Sequence, residues 1–299
     1  MKTGGHTRAI LLLVVPPLAF YTVFVMVPTL GAIAISLTRW KGIAWSQMEF
    51  VGLQNYAAIF TDGRFWQALL NNFWFVLGTL LVQVPLALSI AIILDLKPRF
   101  SGFFSGVFLL PRAMAFVVIA LLFRFFFAPA FLNGLINVLL SSVGLEALNR
   151  NWLNEATTAM PSLVSVHIWR DFGFMMFLFL AGLSTIPTQL YDAAKIDGAS
   201  MGQVIWHVSL PMLREIGIVA TTMSIIAALR VFEYVFVMTG GGPYFQTEVV
   251  MTYLYKKAFS SLQLGYANAG TTIFIVILLI MTVAYLRLTK ASALRKMSN

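Results

Sequence analysis

The sequence predicts an all-α polytopic membrane protein with six transmembrane helices, and three observations carry that prediction. Hydrophobic residues make up 60% of the 299 and charged residues only 10%, whereas a soluble domain carries about 25% charged residues. With a mean hydropathy of +0.87, the chain has too few polar side chains to cover a water-facing surface. Apolar runs at about 9–37, 72–94, 103–128, 161–183, 215–238 and 269–288 each approach the roughly 20 residues that cross a bilayer as a helix. The most polar long segment after the N-terminal third, within 184–214, lies between the fourth and fifth runs. There is no cysteine, which excludes a disulfide framework, a CxxC redox pair and a thiolate metal site. His6, His167 and His207 are too scattered for metal-ligand spacing. The net charge of +9 reads as the cationic bias of a membrane protein's inner loops, and no nucleic-acid partner is expected.

Taken in order, the first run follows Lys2 and Arg8 and is too long for a cleaved signal peptide. Pro16, Pro17 and Pro28 should bend it, leaving neighbouring helices to satisfy the freed backbone groups. Between the third and fourth spans, 131–143 is apolar but short, and reads as an interfacial helix on a loop. With both termini inside, the inner segments carry Lys2, Arg8, Lys97, Arg99, Lys195, Arg214, Arg287, Lys290, Arg295 and Lys296. The outer segments then carry the smaller set Arg39, Lys41, Arg64, Arg150, Lys256 and Lys257. That asymmetry makes 1–8 and the basic tail 289–299 cytoplasmic and puts 184–214 on the same side.

The polar stretch has the chemistry of a helix–turn–helix. Pro187 suits a first helical turn, and Gly198 stands where a C-terminal cap belongs. Ser200 and Gln203 have the spacing of a capping box, and Pro211 should stop the second helix from running on in register. Ala193, Ala194 and Gly198 give the first helix a small-residue side that lets another backbone approach.

Asp192-Ala193-Ala194, then Asp197-Gly198-Ala199, then Leu210-Pro211 resembles the EAA loop of ABC importer permeases. The wider phrase from Leu180-Ala181-Gly182-Leu183 through Ile186-Pro187 and Leu190-Tyr191 is similar to the carbohydrate branch of that family. Phe50-Val51-Gly52-Leu53-Gln54-Asn55-Tyr56 resembles that branch's F-x-G-L-x-N-Y phrase after the first helix. Thr239-Gly240-Gly241-Gly242-Pro243 resembles its T-x-G-G-P loop, and Gly265-Tyr266-Ala267-Asn268-Ala269 its run into the last helix. One departure is Asp192, where the family usually has Glu, one methylene longer.

The resemblance implies a type I ABC importer permease bundle in the bacterial inner membrane, the first member of a permease pair. In it the EAA loop docks on an ATP-hydrolysing subunit, two of which serve the complex. The glycine loop and the Gly52 phrase face an extracytoplasmic solute-binding protein, and the solute is a carbohydrate. No G-x-x-x-x-G-K-[ST] sequence occurs, so this chain cannot cradle ATP phosphates in that manner. ATP and magnesium are expected on the partner subunits, with no cofactor, metal or catalytic residue here.

Arg112, Arg124, Arg170, Asp171, Arg230 and Glu233 fall in or at the ends of expected spans. A mid-membrane charge costs about 2.5–3.5 kcal/mol on insertion scales, so such residues face a cavity or a partner. Arg230 and Glu233, three apart on one helix, either pair to pack the bundle or line the solute path. Trp169 and Tyr234 either stack on a sugar ring or pack against neighbours. Two rival functions are an ABC permease for a polyamine or glycerol-phosphate, and an ion-coupled secondary transporter. The latter commonly shows internal repeats with broken helices, and no convincing repeat is visible here.

Overall fold

The structure, a computed structural model, describes residues 3–96 and 99–297. Side chains of residues 3–11, 288 and 290–297 are not described. Lys2 and Lys97 therefore lie outside the described residues, and the side chains of Arg8, Lys290, Arg295 and Lys296 are among those not described. Among the described residues four helical segments are long and apolar enough to span a bilayer: Leu12–Ser36, Gly63–Asp95, Ala156–Leu183 and Leu264–Arg287. Two further pairs of helices are bent at a break, giving up to six if each pair is one span. Among the described residues the fold is all-α apart from one two-residue antiparallel ladder.

The chain divides into two compact units. The first runs to Gly63 and includes Leu254–Ile277. In it α1 (Thr3–Tyr21) passes through a π turn at Thr22–Met26 into α2 (Val27–Ser36). Strands β1 (Thr38–Arg39) and β2 (Glu49–Phe50) pair, and α3 (Gln54–Phe60) comes next. Gly52 takes φ +57° in the turn before α3, a left-handed conformation that costs glycine nothing. The Asn55 amide donates to the carbonyls of Ser36 and Thr38 at 2.7 and 2.9 Å, satisfying oxygens that the end of α2 leaves unpaired. Tyr56 bonds Ser36 Oγ at 2.6 Å, and Tyr266 donates to Asp62 at 2.5 Å. Much of the Phe50–Tyr56 phrase and of the run at Gly265 thus fastens the end of the first span.

The second unit holds Arg64–Tyr253 and the chain from Leu278 on. Its elements are α4 (Gly63–Asp95, shared at its first residue), α5 (Ser101–Ala113), α6 (Phe116–Phe126), α7 (Leu135–Ser142) and α8 (Ala156–Leu183). Then come α9 (Thr188–Ile196), α10 (Met201–Val204), α11 (Leu210–Met212), α12 (Arg214–Leu229), α13 (Val250–Tyr255) and α14 (Leu264–Met297), the last two beginning or ending across the division. α8 is the axis: its buried Leu163, Val166 and Phe172 pack with Phe75, Ile119, Leu229 and Val235. Lower on α8, Met175, Met176, Phe179 and Leu183 pack with Ala87, Ala91 and Leu213.

Three sequence expectations change here. The run 103–128 is not one straight helix: α5 and α6 meet at 98°, with Met114 and Ala115 extended between them. The run 215–238 stops being helical at Arg230 and resumes just before a π turn at Val235–Thr239. Pro211 does not end its helix. A π turn at Ile205–Ser209 precedes it, with the Leu210 amide bonded back to Ile205, and the helical run reaches Met212 before bending 68° into α12. Pro28 likewise comes just after the π turn of the first span. In both places the inserted residue shifts the hydrogen-bond register where proline has no N–H to give.

Asn72 on α4 ties two of these segments together. It is fully buried, donates to Leu229 O and accepts from Val250 N, each at 2.9 Å. Asn72→Leu should cost about 1–3 kcal/mol for each backbone group left unpaired. The check is the thermal midpoint of the detergent-solubilised protein, and an unchanged midpoint would contradict the assigned role.

Candidate functional site

The polar stretch folds as its chemistry requires. α9 ends with Gly198 at φ +72°, the Gly198 amide bonds Lys195 O and the Ala199 amide bonds Ala194 O. Ser200 then caps α10: Ser200 Oγ accepts from Gln203 N at 3.4 Å, and Ser200 N donates to Gln203 Oε1 at 2.7 Å. Pro187 is the residue before the first helical turn rather than inside it. Asp192 is exposed and faces Lys195 at 3.8 Å on the same helix. Ile196, Met201, Trp206 and Met212 carry large exposed apolar surface, while Tyr191 turns inward to Ser209 at 3.3 Å. The segment is a polar helical hairpin with an exposed apolar fringe, and Leu210-Pro211 lies on its return arm.

The loop Thr239–Pro243 is tightly organised. Gly240 and Gly241 take φ of +59° and +90°. Thr239 Oγ1 accepts from Gly241 N at 3.2 Å and bonds Thr247 Oγ1 at 2.8 Å. Thr247 Oγ1 also donates to Gly242 O. Asn71 of α4 holds the chain leaving this loop, donating to Phe245 O and Glu248 O at 3.0 and 2.8 Å. The glycines are a conformational necessity of this loop as well as a helix stop.

Inside the second unit a cleft of about 530 Å³ opens between α5, α6, α8 and α12. Arg230, Glu233 and Tyr234 line it, joined by Arg112, His167, Arg170 and Asp171. Arg230 occupies the terminal position of α12 with φ −88° and ψ 10°, so the three-residue helical spacing to Glu233 does not apply, and the two form no ion pair with each other. Each presents its charge to the cleft separately. Tyr234 is fully buried, edge-on to Phe116 and His167 at centroid distances of 5.7 and 6.1 Å. Trp169 lies elsewhere, packed edge-on against Phe123 at 5.1 Å.

The strongest polar constellation was not assembled from the sequence. Asp171 accepts from Arg112 Nη1 at 2.5 Å and from Arg170 Nη1 at 3.0 Å, and its other oxygen lies 3.6 Å from His167 Nδ1. The cost of membrane charge marked Arg112, Arg170 and Asp171 as needing partners. Only the fold could say that they partner each other, and a lone histidine gave no signal at all. Among the described residues there is no group of three or more His, Asp or Glu suited to a metal ion.

A family model described as the binding-protein-dependent transport system inner membrane component matches residues 83–297. The chain belongs to this family. It is therefore a permease subunit of an ABC importer, not an enzyme, and ATP is hydrolysed on a separate subunit. A probable ABC transporter permease of Bacillus subtilis, YurN, is 37% identical, with 93% of this chain and 95% of that protein covered. A trehalose/maltose transport system permease of Thermococcus litoralis, MalF, is 34% identical, with 92% of each covered. The fold is similar to that of a chain from a bacterial ABC transporter involved in the import of the acidic polysaccharide alginate, with TM-score 0.82, 22% identity and 96% of both chains covered. That likeness places the permease in the type I architecture.

Proposed function

We propose that this permease carries a carbohydrate, with α9–α11 as the coupling loop and the cleft as part of the solute path. The observation that carries the sugar reading is the 34% identity, across nearly the whole chain, to a permease named for trehalose and maltose. Residues 9–288 form the transmembrane permease domain, with 184–214 and both termini cytoplasmic. Asp192, Ala193, Ala194, Asp197, Gly198, Ala199, Leu210 and Pro211 form the surface that meets the ATPase subunit. Thr239, Gly240, Gly241, Gly242 and Pro243 face the binding protein from the opposite side.

Transport proceeds by alternating access. Closure of the ATPase subunits around ATP moves α9, and the bundle opens outward to a docked, loaded binding protein. Hydrolysis resets it. The coupling loop must bind its partner differently in the two states, because equal binding shifts no equilibrium. In the cleft, Arg230 supplies donors and Glu233 acceptors, which suits a ligand built of hydroxyl groups. Trp169 lies outside the cleft, so the assigned path is Arg230, Glu233 and Tyr234.

The test reconstitutes the importer in proteoliposomes with its own binding protein and tracks uptake of radiolabelled maltose, trehalose and related sugars. Failure of every sugar to be taken up, alongside uptake of a polyamine or glycerol-phosphate, would overturn the carbohydrate reading. A hydrogen bond to a charged group contributes about 1.5–3 kcal/mol, so Arg230→Ala and Glu233→Ala should each lower uptake roughly tenfold or more at equal surface expression. Normal uptake by both would remove them from the path.

A further inference from the structure

α5 and α6 form an elbow, bent by 98° at Met114–Ala115. Two adjacent residues of α8 hold both arms. Arg170 Nη2 donates to the carbonyl of Arg112 at 3.2 Å, in the last turn of α5, where helix carbonyls lack internal partners. The Arg170 guanidinium also lies 3.7 Å over the ring of Phe116, the first residue of α6. Asp171 completes the grip by taking the Arg112 guanidinium across the interface.

This arrangement is a poor device for stability alone. Buried ion pairs gain little net stability, because removing two charges from water costs about what their attraction returns. Around this pair, His167 Nε2, Arg170 Nε and Tyr234 Oη are buried with no hydrogen-bond partner among the described residues. Native interiors seldom leave three such atoms side by side. The charges are also unequal in their freedom. The side chains of Arg170 and Asp171 are 10% and 8% exposed, whereas that of Arg112 is 41% exposed. Arg112 alone can leave Asp171 and be rehydrated in the cleft.

We propose that Asp171 is a positioning residue for transport: it latches Arg112 on α5 to keep the elbow closed, and release of Arg112 loosens that arm so that the elbow opens about Met114–Ala115 with the passage. Both states of Arg112 remain charged, so the latch moves no proton and needs no co-reactant. The proposal rests on the cleft being part of the solute path. It adds a moving joint to that path and says which contact gates it.

The chain has no cysteine, so spin labels can be placed at Leu110→Cys on α5 and Leu121→Cys on α6, both exposed. Distances between them are measured by pulsed electron resonance in the complete importer in lipid nanodiscs, resting and trapped with ATP and vanadate. The resting complex should give one distance and the trapped complex a second. Asp171→Asn and Arg112→Gln should raise the second population in the resting complex about tenfold, a modest bias of a two-state equilibrium. Solute-independent ATP hydrolysis should rise severalfold with it, and Arg112→Lys should restore both readouts. Arg112→Gln keeps the Arg170–Asp171 pair, so it decides the matter if Asp171→Asn fails to assemble. Unchanged distances in Arg112→Gln would overturn the proposal, as would altered distances with ATP hydrolysis at the wild-type rate. Neither readout uses sugar, so a wrong substrate class leaves them untouched.

Discussion

Gly173→Ala is expected to lower the stability of the permease by about 1–3 kcal/mol, the range for an overpacked interior, and to deplete the assembled complex severalfold. A methyl group built on Gly173 would lie 1.8 Å from Phe108 O and 2.6 Å from its carbonyl carbon. Those are backbone atoms of α5, so no rotamer change relieves the clash and the two helices must separate. Close approach through a small residue is a principal source of helix association in a membrane, where the hydrophobic effect between helices is absent. Separation would also lengthen the bonds to Arg112 from Arg170 and Asp171, respectively three and two residues from the contact. Gly102→Ala and Gly106→Ala, on α5 with nothing within 4 Å of the added carbon, should be neutral and serve as controls. The measurement is the thermal midpoint by fluorescence-detected gel filtration. A midpoint for Gly173→Ala equal to that of the two controls would contradict the packing described.

The spans were legible because bilayer thickness imposes a length that apolar runs must meet, and the caps of α9 and α10 because Gly198, Ser200 and Gln203 act on their own neighbours. What the sequence hid is non-local or conformational. Pro111 sits inside α5, and the chain bends only after it, where α8 offers Arg170 to both arms. Pro211 was expected to bar its helix from running on in register, and nothing in the sequence showed that a π turn before it would shift the register while the helix ran on. Arg230 and Glu233 looked like a pair only while the backbone between them was taken as helical. Arg112 and Asp171 lie 59 residues apart, and no periodicity links them. Membrane energetics said that each needed a partner; the packing of α5 on α8 chose which.

Gly198→Trp is expected to leave the chain inserted and assembled with its second permease while lowering ATP-driven uptake by roughly a hundredfold, the loss produced by about 3 kcal/mol of missing interface energy. Gly198 has φ +72°, and nothing lies within 4 Å of a carbon added there. A side chain at this position therefore begins in open space. It does carry a backbone cost of about 1–2 kcal/mol, because a side chain is disfavoured in the left-handed region. Gly198→Ala bears the same cost without the bulk, so comparing the two separates a distorted cap from an obstructed surface. If the loop grips the ATPase subunit, Gly198→Ala should retain most uptake and Gly198→Trp almost none, with ATP hydrolysis by the Trp variant no longer stimulated by loaded binding protein. Equal losses in both variants would locate the defect in the cap. Unimpaired uptake by Gly198→Trp would exclude this end of α9 from the contact, and Asp192, one helical turn and more away on the same short helix, would then have to make it from its other end.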